Sequence, residues 1–166
     1  MTRVLGVDPG SAATGWAVVE GAGNRFTLAA AGVIRTGSGE RPARLARLDS
    51  ALSEVVAHHR PDAAAVESSF SGRNPRSGLA LAESRGVALA VLGRAGIAVS
   101  SYTPTQVKSA VVGYGRAEKR QIVYMVMRLL GLEKQPAQDA ADAMAVALTH
   151  LWSGGRTRLD PDNPTC

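Results

Sequence analysis

Cysteine and aromatic residues are scarce in this chain. Its 166 residues include one cysteine, Cys166, at the C-terminal end, and only 4% of the chain is Phe, Trp or Tyr. A lone terminal cysteine excludes an internal disulfide framework and thiolate zinc sites. Such cysteine usage is compatible with a cytoplasmic protein, which is the location we expect.

Long apolar runs are also missing. No stretch of 18 or more apolar residues is present, so we expect no transmembrane helix, and the first residues lack the apolar stretch of a signal peptide. A hydrophobic content of 45% with 20% charged residues is typical of a globular protein. We predict one folded domain over residues 1–152. Residues 153–166 are polar and rich in Gly and Pro, which predicts a disordered tail.

Acidic residues are outnumbered by basic ones. The chain has 14 Asp and Glu against 19 Lys and Arg, a formal net charge of +5. This balance is compatible with a polyanionic partner, because Lys and Arg displace counterions from phosphates. A generic solvated basic surface is the alternative that composition leaves open.

Four of the few acidic residues occupy unusual positions: Asp8, Glu67, Asp139 and Asp142. Asp8 and Glu67 each follow a short apolar run, and the other two lie three apart in an alanine-rich segment. A carboxylate at the end of a buried strand is costly unless something pairs with it, and hard oxygen ligands suit Mg²⁺ or Mn²⁺. Each acid alone could be a turn residue or a helix N-terminal charge. Together they predict a carboxylate-built metal site.

The hydrophobic periodicity predicts alternating strands and helices. We expect strands over residues 3–8, 14–19, 25–34, 63–67 and 97–102, and helices over 42–59, 75–93, 104–112, 118–130 and 136–152. Residues 103–106 read as a capping box with proline at the first helical position. Three hairpin-linked strands followed by strand–helix alternation predict an α/β fold with a mixed sheet. If strand 63–67 lies beside strand 3–8, Asp8 and Glu67 end at adjacent positions.

Five short motifs, taken in order, carry a family resemblance. They are GVDPGS at residues 6–11, VE at 66–67, VK at 107–108, GYGRAEK at 113–119 and DAADA at 139–143. The set resembles the RuvC family of Holliday-junction resolvases, from about residue 3 to residue 151. One departure is visible in the first turn, where Ser11, Ala12 and Ala13 stand at a place that is basic in some relatives. A DNA contact from that turn is therefore not expected.

The resemblance implies an RNase H-like fold with a mixed five-stranded sheet flanked by helices. It also implies a homodimer that cuts two like-polarity strands of a four-way DNA junction by metal-dependent hydrolysis, during recombination and repair. The implied cofactor is Mg²⁺, two ions for each active site, with Mn²⁺ able to take its place. A RuvA–RuvB branch-migration complex is an implied partner. Helix 75–93, rich in Ala, Leu and Gly, is our candidate dimer interface, against the alternative of ordinary packing on the sheet.

Roles for individual residues follow by motif. The four acids match the family's catalytic, metal-binding residues, and Lys108 and Lys119 match lysines that contact DNA phosphates. Phe70 matches an aromatic that stacks at the opened crossover, with packing into the core as its alternative. Arg73 and Arg76 are expected to add DNA contacts nearby. For His150, late in the last helix, an approach to the active site is left open.

Other functions remain open alternatives at this level. The motif at residues 6–11 also fits a phosphate-binding module of the actin or sugar-kinase type, but that fold needs a second lobe for which 166 residues leave no room. A non-catalytic junction-binding protein would need no cluster of acids. An RNase H-like nuclease that acts on hybrid duplexes differs from a resolvase in substrate alone.

Overall fold

The computed structural model describes residues 1–68 and 75–154, which form one sheet and five helices within those ranges. The strands are β1 (Thr2–Asp8), β2 (Ala13–Ala22), β3 (Arg25–Arg35), β4 (Ala63–Glu67) and β5 (Ala98–Tyr102). The helices are α1 (Arg41–His59), α2 (Pro75–Arg94), α3 (Pro104–Val112), α4 (Lys119–Leu130) and α5 (Gln138–Trp152).

The five strands form a mixed sheet in the order β3-β2-β1-β4-β5. The β1–β2 and β2–β3 pairs are antiparallel, since short turns join them. The β1–β4 and β4–β5 pairs are parallel, with α1 and α2 as their crossover connections. The predicted α/β class with a mixed five-stranded sheet is confirmed.

Helices cover both faces of the sheet, and each face has its own core. One core joins the sheet to α1 and α2, with Leu48, Leu52 and Leu92 fully buried. The other is built around α5, where Met144 and Leu148 contact the sheet while α3 and α4 pack on the outside of α5. Helix α5 is rich in small alanines, which let its neighbours approach closely, and most of its residues are therefore buried.

Two predicted boundaries differ from the structure by more than one residue. The β2–β3 hairpin is longer than expected: Ala22 pairs with Arg25 across a two-residue turn in which Gly23 has a φ of 60°. The last helix begins at Gln138 rather than at residue 136, because Ala137 has an extended backbone (ψ 144°) and acts as the N-cap. The carbonyl of Ala137 accepts a hydrogen bond from the Ala141 N–H at 2.9 Å.

The predicted capping box of α3 is confirmed. Thr103 Oγ1 accepts from the Gln106 N–H at 3.2 Å, and Gln106 Oε1 accepts from the Thr103 N–H at 2.7 Å. Within residues 1–68 and 75–154, no helix has the length and apolar character needed to cross a membrane. Of the tail predicted over residues 153–166, residues 155–166 lie outside the described part of the chain.

Candidate active site

Strands β1 and β4 deliver two acids to the same edge of the sheet. Val7 pairs with Val66, so Asp8 and Glu67 follow at adjacent positions where the two parallel strands end. Side chains alternate along a strand, and Val7 and Val66 both pack into the core beneath α1 and α2. Asp8 and Glu67 therefore belong to the opposite face, the one that α5 covers.

Two glycines let the start of α5 lie directly against the sheet. A Cβ on Gly15 would stand 1.8 Å from the carbonyl oxygen of Asp139, and one on Gly6 would stand 2.1 Å from that of Ala143. Gly15 also pairs with Asp8 in the β1–β2 ladder. The contact of Gly15 with α5 thus brings the first turn of the helix, with Asp139 and Asp142, beside the end of β1.

The ionisation of Asp8 is strongly perturbed at this edge. Burial, followed by the negative charges of Glu67, Asp142 and Asp139, raises its pKa from 3.8 to about 8. The ammonium of Lys119 opposes this shift but does not cancel it. The negative charges of the other three predicted acids therefore act on Asp8.

Asp142 is held by two neighbours. Its Oδ1 accepts a hydrogen bond from Gln138 Nε2 at 2.9 Å, and its Oδ2 lies 3.7 Å from Lys119 Nζ. Burial raises the pKa of Asp142, while Lys119 and the Gln138 hydrogen bond lower it. Sequence reasoning missed Gln138, although its position four residues before Asp142 on a helix was the available signal.

The acids line a cleft of about 300 Å³ that also contains both predicted lysines. Its charged lining residues are Asp8, Glu67 and Asp142 together with Lys108 of α3 and Lys119 of α4. The remaining lining residues are Pro104, Val107, Ile122 and Ala145. A cleft lined by both half-buried acids and lysines is suited to a phosphate group that meets divalent cations.

The chain matches a known family over most of its length. Residues 4–150 match the family model described as "Crossover junction endodeoxyribonuclease RuvC". The chain belongs to the RuvC family. The RuvC protein of Alkalilimnicola ehrlichii is 51% identical over 91% of this chain and 92% of its own. That of Salinispora arenicola is 50% identical over 95% of this chain and 92% of its own.

A solved RuvC structure has the same fold. Thermus thermophilus RuvC in complex with a Holliday junction substrate superposes with a TM-score of 0.87 at 33% identity, covering 93% of this chain and 95% of that one. The predicted RNase H-like fold is therefore confirmed.

Not every predicted site residue reaches the cleft. Asp139 influences Asp8 and Asp142 through its charge but is not among the lining residues. Arg76 is an exposed residue in the first turn of α2, and it too is not part of the cleft wall. Phe70 and Arg73 lie outside the described residues.

His150 lies away from the cleft. It is buried, and its Nδ1 is 2.9 Å from the hydroxyl of Tyr102, which is 3.0 Å from Ser153 Oγ. Burial lowers the pKa of His150. Eight residues separate it from Asp142, which is about 12 Å along a helix, so its place is in a structural hydrogen-bond network.

The acids of the RuvC-family chain fit divalent cations by their chemistry. They offer hard carboxylate oxygens, and the pKa of about 8 at half-buried Asp8 means that too little positive charge surrounds it. Among the described residues, no three Asp, Glu, His or Cys side chains stand close enough to form a ready-made cation site.

Proposed function

We propose that this protein is an endonuclease that resolves four-way DNA junctions by paired, metal-dependent hydrolysis of two like-polarity strands. The observation that carries the proposal is the Asp8 cluster: a half-buried carboxylate whose pKa is raised by burial and by three other acids, with Lys108 and Lys119 lining the same cleft. Membership of the RuvC family supports the same reaction. We assign it to the domain over residues 1–152, and a DNA substrate is consistent with a cytoplasmic enzyme.

Asp8, Glu67, Asp139 and Asp142 would hold the divalent cations, two Mg²⁺ ions in each site or Mn²⁺ in their place. When bound, such a pair supplies activation of water and stabilisation of the leaving 3′-oxygen in an in-line displacement. The chain's own part is to hold the acids at one edge of the sheet, in the cleft that also carries Lys108 and Lys119. Gln138 fixes one oxygen of Asp142 and leaves the carboxylate oriented toward the cleft.

Lys108 and Lys119 would position the scissile strand. Lys119 pairs loosely with Asp142, and its side chain is three-quarters exposed, so a phosphate can compete for it. Phosphate contacts of this kind fix register without reading sequence. Phe70, Arg73 and Arg76 stay predicted DNA contacts, with Phe70 stacking on a base at the crossover.

A homodimer would supply the second incision, since one site can cut one strand at a time. Support comes from α2, which turns a chargeless stripe to solvent: Leu79, Ala82, Gly86, Ala90 and Gly93. A Cβ at Gly86 or Gly93 would meet nothing within 4 Å. Glycine costs a helix about 1 kcal/mol relative to alanine, and this chain's own packing does not require it there. A RuvA–RuvB complex is a further partner expected from the family.

Cleavage of synthetic four-way junctions in Mg²⁺ tests the proposal, with linear duplex and RNA–DNA hybrid as control substrates. We expect Asp8→Asn and Glu67→Gln to abolish incision while junction binding in EDTA stays near wild type. Asp49→Asn, which removes an exposed carboxylate of α1, serves as the matched control and should cut normally. Cleavage of hybrid in preference to junction, or full activity in both acid variants, would contradict the proposal.

A further inference from the structure

Two arginines of α1 hold the turn that follows Asp8. Residues 9–12 join β1 to β2, and the carbonyl oxygen of Ser11 accepts hydrogen bonds from Arg44 Nη2 at 2.7 Å and from Arg41 Nη1 at 3.3 Å. We call these two arginines the arginine clamp. Hydrogen bonds from a charged donor are stronger than those between neutral groups, so this carbonyl is held more firmly than an ordinary turn carbonyl.

Arg41 is itself fixed by α2. Its Nε lies 2.5 Å from Glu83 Oε2, and its Nη2 donates to Ser84 Oγ at 3.2 Å and to the carbonyl oxygen of Ala80. The Arg41 side chain is only 25% exposed, and a partly buried ion pair is screened less than one in open solvent. The Arg41 guanidinium therefore joins α1, α2 and the turn in one cluster of contacts.

Arg44 extends the hold on the turn to the end of β3. Its Nε donates to Thr36 Oγ1 at 3.3 Å. Thr36 in turn donates to the carbonyl oxygen of Ala12 at 3.2 Å, through both its N–H and its hydroxyl. The carbonyl groups of two successive turn residues, Ser11 and Ala12, are thus fixed to elements outside the turn.

The start of α1 is not arranged for the stability of the helix itself. Its first turn contains both arginines of the clamp and no acidic residue, although a helix N-terminus disfavours positive charge. The N-cap residue, Glu40, makes no capping hydrogen bond through its side chain. The contacts that the two arginines make outside α1 offset this arrangement, which indicates that they act on the turn and on α2.

The turn has little freedom to move without Asp8. Asp8 is the last residue of β1, and Ser11 follows it by three residues. Between them, Pro9 is buried and has a fixed φ, and a Cβ on Gly10 would stand 2.0 Å from the carbonyl oxygen of Ala13. Because the turn is short and closely packed, a displacement at Ser11 would reach Asp8.

We propose that Arg41 and Arg44 are positioning residues, which fix the turn after Asp8 and so hold the Asp8 carboxylate where a divalent cation binds. The inference rests on the proposed function, because it takes the acids as cation ligands. The competing interpretation is that the clamp only joins α1 to α2 and stabilises the fold. Positioning is favoured because both arginines meet at the Ser11 carbonyl, a contact that the attachment of α1 to α2 does not require.

Binding of Mg²⁺ to the metal-free protein, measured by calorimetry without DNA, tests this role. In Arg44→Gln and in Arg41→Gln the dissociation constant of Mg²⁺ should rise about tenfold, because loss of a group that orients a metal ligand typically weakens binding by about that factor or more. The Mg²⁺ concentration for half-maximal junction cleavage should rise by the same factor, while junction binding in EDTA stays near wild type. Arg44→Lys keeps a charged donor for Ser11 and should recover part of the Mg²⁺ affinity.

Arg94→Gln is the matched control. It removes the same charge and also breaks an ion pair between α2 and α1, in which Arg94 Nη2 lies 2.7 Å from Asp49 Oδ2. Asp49 lies about 12 Å along α1 from Arg41, so this pair does not reach the turn. The control should bind Mg²⁺ like wild type. An equal loss of Mg²⁺ affinity in Arg94→Gln would mean an effect of net charge or of helix packing, and would overturn the inference.

Unchanged Mg²⁺ binding in both clamp variants would also overturn the inference, whatever their melting temperatures, because the clamp would then serve the stability of the fold alone. Wild-type protein that binds Mg²⁺ without cleaving junctions would instead contradict the proposed function. The effect of the clamp on Mg²⁺ binding would still be measured in that case, since the calorimetry contains no DNA.

Discussion

At Asp8, burial and three neighbouring acids raise the pKa to about 8, compared with 3.8 in the unfolded chain. Between these two values the folded state keeps a proton that the unfolded state has released. The contribution of Asp8 to the stability of the metal-free protein is therefore greatest at low pH. This contribution falls as the pH rises toward 8.

We predict that metal-free wild-type protein loses stability between pH 5 and pH 8 by more than Asp8→Asn does. The difference should be on the order of a few kcal/mol, because each pKa unit corresponds to about 1.4 kcal/mol. Denaturant unfolding in EDTA at both pH values gives the measurement. Addition of Mg²⁺ at pH 8 should restore more stability to wild type than to the variant.

The comparison with Asp8→Asn isolates this effect from the titration of other groups. Asp49→Asn, at an exposed ion pair, should follow the wild-type profile. Parallel pH profiles for wild type and Asp8→Asn would show that the Asp8 carboxylate is not held protonated by its neighbours.

At the scale of secondary-structure elements, the site depends on the contact between β2 and α5. We predict that Gly15→Ala lowers both the rate of junction cleavage and the stability of the fold, because the new Cβ would displace the backbone of Asp139. Expressed as free energies, the loss of cleavage should be at least as large as the loss of stability. Overpacking of this kind costs about 1–3 kcal/mol. Cleavage rate and melting temperature, measured on the same preparation, separate the two effects.

An exposed residue of another helix provides the control for that variant. Ser50→Ala in α1 replaces an exposed side chain with a better helix former and should leave cleavage and melting temperature unchanged or slightly raised. Normal cleavage by Gly15→Ala would mean that the position of α5 tolerates the shift, and that the acids do not depend on this contact.

Much of this arrangement was predictable from local patterns. An apolar run followed by an acid indicated the ends of β1 and β4, and the Thr103–Gln106 spacing indicated the start of α3. The close contact of Gly15 with Asp139 was not predictable, because a glycine in a strand is equally typical of a bulge or a weak position. The hydrogen bond from Gln138 to Asp142 and the raised pKa of Asp8 were not predictable either. Both depend on how the helices pack against the sheet, which only the assembled fold determines.

At the scale of the whole molecule, the charges are divided between surface and cleft. The chain has a net charge of +5, yet three of its acids line one cleft at the edge of the sheet, together with two lysines. A basic surface attracts DNA over a distance, while the acids determine where cations collect. A two-fold dimer would place two such clefts on one junction, in line with the junction's own symmetry.

We predict that Gly86→Arg converts a homodimer into a monomer that still folds. The side chain has room on an isolated chain, since no atom lies within 4 Å of the new Cβ, and arginine favours a helix over glycine by almost 1 kcal/mol. Across an interface of small residues, the same charge has neither space nor a partner. Sedimentation should show that Gly86→Arg has half the mass of wild type. At a dilution where the wild-type dimer also dissociates, the melting temperature of the variant should equal or exceed that of wild type.

The products formed from a cruciform plasmid then connect the assembly to its function. A dimer that makes paired incisions gives linear DNA, whereas a monomer gives mainly nicked circles, so Gly86→Arg should shift the products from linear to nicked. Ala57→Arg adds the same charge at an exposed position of α1 and should retain both the dimer and the linear product. If wild-type protein sediments as a monomer at concentrations that yield linear DNA, the dimer is not needed for paired cleavage. If Gly86→Arg stays dimeric, the contact between protomers lies on another face of the molecule.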